Sequence, residues 1–371
     1  MSPYPDVAVI GGGIVGCAAA ALLAESSASV ELFERGTLAQ AASGRNSGSI
    51  QHPFDPVLTE LHVETLDLYR HYLRDWSGHL VPTWPAGVLT LTPADGDGPN
   101  AVRELAAEIA RALPELRPTV FEGPDLQALE PLLAADLIGC RLETGYPVRP
   151  SAATLGFADV AREAGARIHE HAPARPWIED GKVRGVMVGE AEKRPADVVV
   201  VAAGPWTPAL VDPNGEWRPI APLWGVVAEI DLGAGPAHVL EEAGVEGVGV
   251  GARSDVVFSV VAADGVSGLG STFELDEPDP GTWVDRLRER GRRFVPAVAD
   301  APVLRTRVCA RPQSRDGRPL VGPVPAAEGL WVACGNGAWG ISTGPGTAAL
   351  LLDALIGGRE IPAALLASRF D

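Results

Sequence analysis

The chain has 371 residues, 46% of them hydrophobic, enough for two domains or one large domain with a cap around a sizeable core. Its 30 Lys and Arg stand against 48 Asp and Glu, a formal net charge of −18 that repels phosphate backbones and leaves no basic patch for anionic lipid, so neither nucleic-acid binding nor membrane insertion is expected. The four cysteines, Cys17, Cys140, Cys309 and Cys334, form no C-x-x-C pair, so no zinc knuckle, dithiol motif or other metal site is expected; without a secretory signal, the expected compartment is the cytoplasm, with free thiols.

The stretch "DVAVIGGGIVGCAAAALLAESSASVELFER" (Asp6 to Arg35) reads as a βαβ unit. Val7 to Ile10 is the apolar run of a buried parallel strand. Gly11, Gly13 and Gly16 give the G-x-G-x-x-G spacing: a tight turn, room for a pyrophosphate against the backbone, and close packing of helix on strand. Ile14 and Val15 open the helix that Cys17 to Ala24 continues. Val30 to Phe33 is a second strand, and Glu34 at its end is placed to accept from ribose hydroxyls, which disfavours a 2′-phosphate there. No Lys or Arg precedes the apolar run, which argues against a signal peptide or membrane anchor.

Further along, Pro56 to Trp76 has helical periodicity, with Leu58, Leu61, Leu66, Tyr69 and Leu73 near one face. Thr92 to Asn100 is a Pro/Gly/Asp loop, and Ala101 to Leu113 is an amphipathic helix. A helix then feeds a strand at Ala166 to Glu170, "DGKVRGVMV" reads as a hairpin, and "PADVVVVAAGPWTPAL" is a buried strand ending in a glycine turn at Ala203 and Gly204. Ile220 to Leu275 is mostly strand, and Pro280 to Phe294 is helical. From Cys309 the order is strand, turn, strand, glycine-rich loop (Gly335 to Gly346), helix. The fold class is α/β (α+β): a Rossmann-like nucleotide-binding domain assembled from discontinuous segments, 1–78, 147–219 and 310–371, with an inserted β-rich substrate domain of 79–146 and 220–309. Nothing in the chain fixes monomer against homo-oligomer.

Five segments, in this order and spacing, give the chain its resemblance to the D-amino-acid-oxidase-like flavoproteins, the group of glycine oxidase, sarcosine oxidase and D-amino-acid dehydrogenases. They are "VIGGGIVG…ELFER", "AASGRNSGSI", "HAPA", "VVVAAGPWT" and "ARPQSRDGRPLVG…GNGAWGISTGPGTAALLLDALI". The resemblance implies FAD. It implies that Arg35 lies beside the nucleotide, and that the small-residue loop Ala42, Ser43, Arg45, Asn46, Ser47 and Gly48 runs beside flavin and pyrophosphate. Ala174 meets the adenine, and Ala203, Gly204 and Trp206 lie under the cofactor. Gly337, Ala338, Trp339, Gly340, Ile341 and Ser342 place a helix N-terminus at the flavin's pyrimidine edge, where its partial positive charge stabilises the negative charge of reduction. Ser342 and Thr343 are expected as caps of that helix.

The resemblance also assigns the chemistry. Arg311, in "ARPQSRDG", matches the arginine that pairs with a substrate carboxylate, a bidentate grip that sets the Cα–H over the flavin. Gln51 takes the matched place after the small-residue loop and His52 stands one step on, as a base, a polar contact, or a neutral cap of the "PFDP" turn. Ala338 and Trp339 fill the area where some members carry a second substrate-binding arginine. Tyr146 and Trp224 are further pocket candidates. Cys309 stands seven residues before Asp316, as the flavin-linked cysteine of monomeric sarcosine oxidases does, so covalent attachment stands beside simple burial, with non-covalent FAD favoured. The implied activity is oxidation of a small amino acid or N-substituted amino acid, with electrons passed to O₂ or another acceptor. A 2-hydroxy acid oxidase and a non-catalytic flavin-binding subunit are the alternatives.

Overall fold

Asp6–Ile10 forms a strand with four of its five residues buried, and the "VVVV" strand Val198–Val201 pairs with it in parallel. In the computed structural model, which describes residues 6–73, 81–244 and 256–370, these two are the centre of a six-stranded sheet. Its order from one edge is Leu320–Pro323, Leu330–Cys334, Val198–Val201, Asp6–Ile10, Ser29–Phe33 and Arg167–His169. Only the edge strand Leu320–Pro323 runs antiparallel. Strands buried on both faces need no alternation, which is why these read as continuous β-branched runs.

Helix Ile14–Glu25 covers one face of this sheet and is buried at eleven of its twelve positions. Its alanines allow close packing between helices Ala152–Glu163 and Gly340–Leu355. At Gly16 a Cβ would strike the carbonyl oxygen of Gly11, so no larger residue fits the turn as it is built. Ala174–Glu179 and Lys182–Val188 form the expected hairpin, joined by Glu192–Pro195 in a separate three-stranded sheet.

An eight-stranded sheet forms the other layer. Its order is Val303–Ser314, Ile220–Ile230, Val266–Thr272, Val256–Ala263, Val239–Glu242, Val88–Pro93, Leu137–Leu142 and Thr119–Glu122. Helix Gly281–Gly291 packs on one side of it, over a core that includes Phe258 stacked on Phe294 at 4.5 Å. Strand Val303–Ser314 runs unbroken through residue 310, and the expected boundary at 78/79 lies outside the described residues.

Helix boundaries differ slightly from the sequence pattern. The first long helix is Pro56–Tyr72, capped by Asp55 accepting from the Val57 and Leu58 amides; Trp76 lies outside the described residues. The amphipathic helix is Gly98–Ala112 and the later one Gly281–Gly291. On Pro56–Tyr72 the buried face holds His62 and Thr65 as well as Leu58, Leu61 and Tyr69, while Leu66 is only partly buried. The polar residues face helix Gly340–Leu355, which contains Pro345. Proline has no N–H to give the carbonyl four residues back. That carbonyl, of Ile341, instead accepts from the Tyr69 hydroxyl at 2.6 Å. The next carbonyl, of Ser342, bonds His62 Nδ1 at 3.0 Å, and the Gly346 amide donates to Thr65 Oγ1 at 2.9 Å.

Candidate active site

One continuous cavity of about 780 Å³ runs from the Gly11–Gly13 turn to the Gly337–Ser342 loop and on to Arg311. The two glycine-rich regions, more than 320 positions apart in sequence, meet in space: a Cβ on Gly344 would lie 3.0 Å from the Ile14 side chain.

At the nucleotide end, Glu34 accepts from the amides of Gly12 at 2.7 Å and Gly36 at 2.9 Å. Ser43 Oγ accepts from the amide of Ile14 at 2.9 Å, docking the small-residue loop on the helix N-terminus. Asn46 folds that loop, its amide group donating to the Ala42 and Ser43 carbonyls while its oxygen accepts from the Gly48 amide. Arg45 reaches the Val308 carbonyl of the eight-stranded sheet at 3.2 Å. The Arg35 guanidinium stacks 3.9 Å from the Trp206 ring centre, and both line the cavity together with Val15, Ser47, Ala174, Ala203 and Gly204.

At the tail loop, helix Gly340–Leu355 begins after Trp339, with no side-chain cap. Ser342 and Thr343 therefore do not cap it, contrary to expectation: both lie buried inside its first turns. Ser342 Oγ instead accepts from the Gln51 amide at 2.9 Å, and Thr343 Oγ1 donates to the Trp339 carbonyl at 2.9 Å. Gly337, Ala338, Trp339, Gly340, Ile341 and Ser342 all line the cavity.

Arg311 points across its own sheet. Its guanidinium lies over Gly225 of the neighbouring strand, donates to the Thr272 carbonyl at 2.9 Å and sits 4.6 Å from the Phe273 ring centre. Burial pulls its pKa below the usual arginine value, and among the described residues no carboxylate pairs with it. Cys309 and Trp224 also line the cavity; burial pushes the Cys309 thiol up, opposed by Arg311, Arg307 and Arg45.

Four expected site residues lie off the cavity wall. Gly16 and Gly48 shape the turns behind it. His52 is buried, with Nδ1 2.7 Å from the Pro53 carbonyl and its ring edge-on to His62, which matches the turn role among its expected alternatives. Tyr146 is likewise off the wall, packed in the core beside the bridge to Ile50. The sequence reading missed Glu241, Ser259, Ser271, Gln313 and Asn336, all of which line the cavity. Glu241, Ser259 and Ser271 follow from strand register across the second sheet and no local motif marks them, whereas Gln313 and Asn336 stand inside the last quoted segment without having been singled out.

The cavity fits FAD. The glycine turn opens on it beside an acid at the strand end, and Ser49 Oγ and Asn336 Oδ1 are buried on its wall without a partner among the described residues. Such orphaned acceptors suit a ligand with its own donors. The sequence profile of the FAD dependent oxidoreductase family matches residues 6–354. The chain belongs to that family. This FAD-dependent oxidoreductase is 28% identical over 369 residues to the glycine oxidase of Pseudomonas aeruginosa, covering 95% of each chain. It is 24% identical over 371 residues to that of Bacillus licheniformis, covering 95% of this chain and 93% of that one. In fold it resembles the glycine oxidase of Bacillus cereus, with a TM-score of 0.81 at 23% identity over 96% of each chain. It also resembles an iminodiacetate oxidase from Chelativorans sp., with a TM-score of 0.80 at 24% identity over 97% and 98% of the two chains. The anticipated D-amino-acid-oxidase-like membership and FAD are thus borne out. Among the described residues no helix is long and apolar enough to cross a membrane.

Proposed function

We propose that this oxidoreductase oxidises the C–N bond of a small amino acid or N-substituted amino acid to an imine, which water then hydrolyses to an oxo acid and ammonia or an amine. The observation that carries the reading is Arg311: a half-buried guanidinium on the wall of the cavity that fits FAD, with no acidic partner among the described residues. A partly desolvated cation without a counter-ion is costly, and a substrate carboxylate supplies one in bidentate geometry. Phe273 and the Thr272 carbonyl hold the guanidinium in place, so the substrate is oriented before it reacts. FAD, when bound, would supply the acceptor for the hydride leaving Cα, with O₂ or another acceptor taking the electrons in turn. Gly11, Gly13, Glu34 and the 42–48 loop would hold its nucleotide end, and Gly337–Ser342 its ring end. Under this reading, segments 1–78, 147–219 and 310–371 serve chiefly the cofactor and 79–146 with 220–309 the substrate, with Arg311 as the exception, since its strand Val303–Ser314 carries it across the 309/310 boundary in the eight-stranded sheet.

The relatives' names point the same way: glycine and iminodiacetate both join an amine to a carboxylate. The hydroxy-acid alternative requires a base, and His52, the residue proposed for it, is off the cavity wall. Four free, buried cysteines fit a reducing compartment, so we place the enzyme in the cytoplasm. The test is anaerobic mixing of the yellow protein with D- and L-amino acids, N-methyl amino acids and 2-hydroxy acids. Bleaching by amino acids, with peroxide on readmitting air, is expected. Bleaching by hydroxy acids alone would overturn the reading, and no bleaching at all would leave a flavin-binding subunit.

A further inference from the structure

Glu241 is an ionisable cavity residue that the proposed amine oxidation leaves without a task, and the inference drawn from it rests on that reading. It lies on strand Val239–Glu242, in register with Ser259 of the next strand, which is in register with Gly270 of the strand after. Residues in register share a face, and Glu241 and Ser259 both line the cavity. Ser259 Oγ lies 3.2 Å from Ser271 Oγ, and Gly270 adds no side chain to obstruct the row. Gln51 Nε2 donates to Glu241 Oε1 at 2.6 Å, and the Gln51 backbone is itself tied to Ser342. Among the described residues no cation offsets the carboxylate, and burial pushes its pKa up to about 7. A neutral amide is weak compensation for a buried charge; an ammonium or guanidinium is strong compensation.

The spacing decides which part of a ligand reaches it. The Arg311 guanidinium is fixed at Thr272, on strand Val266–Thr272. That strand stands two places from Val239–Glu242 in the sheet, so their backbones are roughly 9–10 Å apart. The carboxylate and amine of an α-amino acid sit on one carbon, so with the carboxylate on Arg311 the α-amine stays at the Arg311 end of this row. A group at the end of a side chain or N-substituent can bridge it, passing the serine hydroxyls.

We propose that Glu241 receives a second, cationic nitrogen of the substrate, so that the enzyme acts on a carboxylate with a basic group at its far end rather than on glycine. Arg311 and Glu241 then bind opposite ends of one extended molecule.

The holoenzyme is titrated with 5-aminopentanoate and with pentanoate, which have no α-amine to oxidise, and binding is read from the visible spectrum of the flavin. In parallel, kcat/KM is measured for both enantiomers of ornithine and lysine against norvaline and norleucine. The amino ligand is expected to bind at least about tenfold more tightly than its neutral counterpart, with a similar preference in kcat/KM, and Glu241→Gln is expected to collapse both ratios to within about twofold. Should that variant fail to fold, the wild-type ratios still decide. Equal binding and turnover of basic and neutral members overturns the proposal and leaves amine oxidation standing, as does a preference that survives in Glu241→Gln. If no D-, L- or N-methyl amino acid bleaches the flavin, amine oxidation falls and the proposal falls with it.

Discussion

The guanidinium of Arg311 occupies the space that a side chain on Gly225 would fill: a Cβ there would lie 2.5 Å from both terminal nitrogens. Arg311 can cross its strand neighbour only because that neighbour is glycine. Gly225→Ala should therefore push the arginine off the Thr272 carbonyl. The expected result is a rise of at least tenfold in KM for carboxylate substrates, approaching that of Arg311→Ala, with flavin content retained. An unchanged KM in both variants would remove Arg311 from the substrate pocket.

Cys309 lines the cavity that fits FAD, but burial pushes its thiol up and away from the nucleophilic thiolate. Precipitating the holoenzyme with acid should release all the flavin into the supernatant, and Cys309→Ser should keep its colour when folded. Yellow pellets from the wild type but not from Cys309→Ser would establish a covalent bond.

Tyr69→Phe removes the donor that Pro345 obliges Ile341 to find elsewhere. Leaving that buried carbonyl unsatisfied should cost about 1–3 kcal/mol, read by urea denaturation. Gly346→Ala should cost more, because its Cβ would meet the Leu61 backbone, which cannot yield as a side chain can.

His62 is fully enclosed, and burial holds its pKa down to about 4, against the opposing hydrogen bond to the Ser342 carbonyl. The unfolded chain takes up that proton near pH 6.5. Between pH 6.5 and 4 the unfolded state therefore binds more protons, and stability should fall as the pH is lowered through this window, by up to about 3 kcal/mol. Denaturation midpoints at pH 7 and pH 5 test this, with His62→Gln expected to flatten the dependence relative to wild type.

The glycine turn was legible because its rules are local. The spacing of Gly11, Gly13 and Gly16 and the acid at Glu34 mark a turn that depends on a few successive residues. Arg311 could be picked out by its family segment, but its path over Gly225 could not, since that depends on pairing between strands more than 80 positions apart. Glu241 was invisible for the same reason. Its strand is only four residues long and carries no motif, and it gains meaning only from register with Ser259. His62 and Thr65 broke the apolar stripe of their helix because their partners, around Pro345, lie nearly 300 positions away.

The union of the opening glycine turn with the loop at Gly337–Ser342 has a consequence for biosynthesis. In the proposed placement of FAD, a ribosome that has made the first half of the protein has exposed the glycine turn but not the Gly337–Ser342 loop that would close over the ring. Cofactor loading would then be a late event in the life of the nascent chain, after residue 342 has emerged.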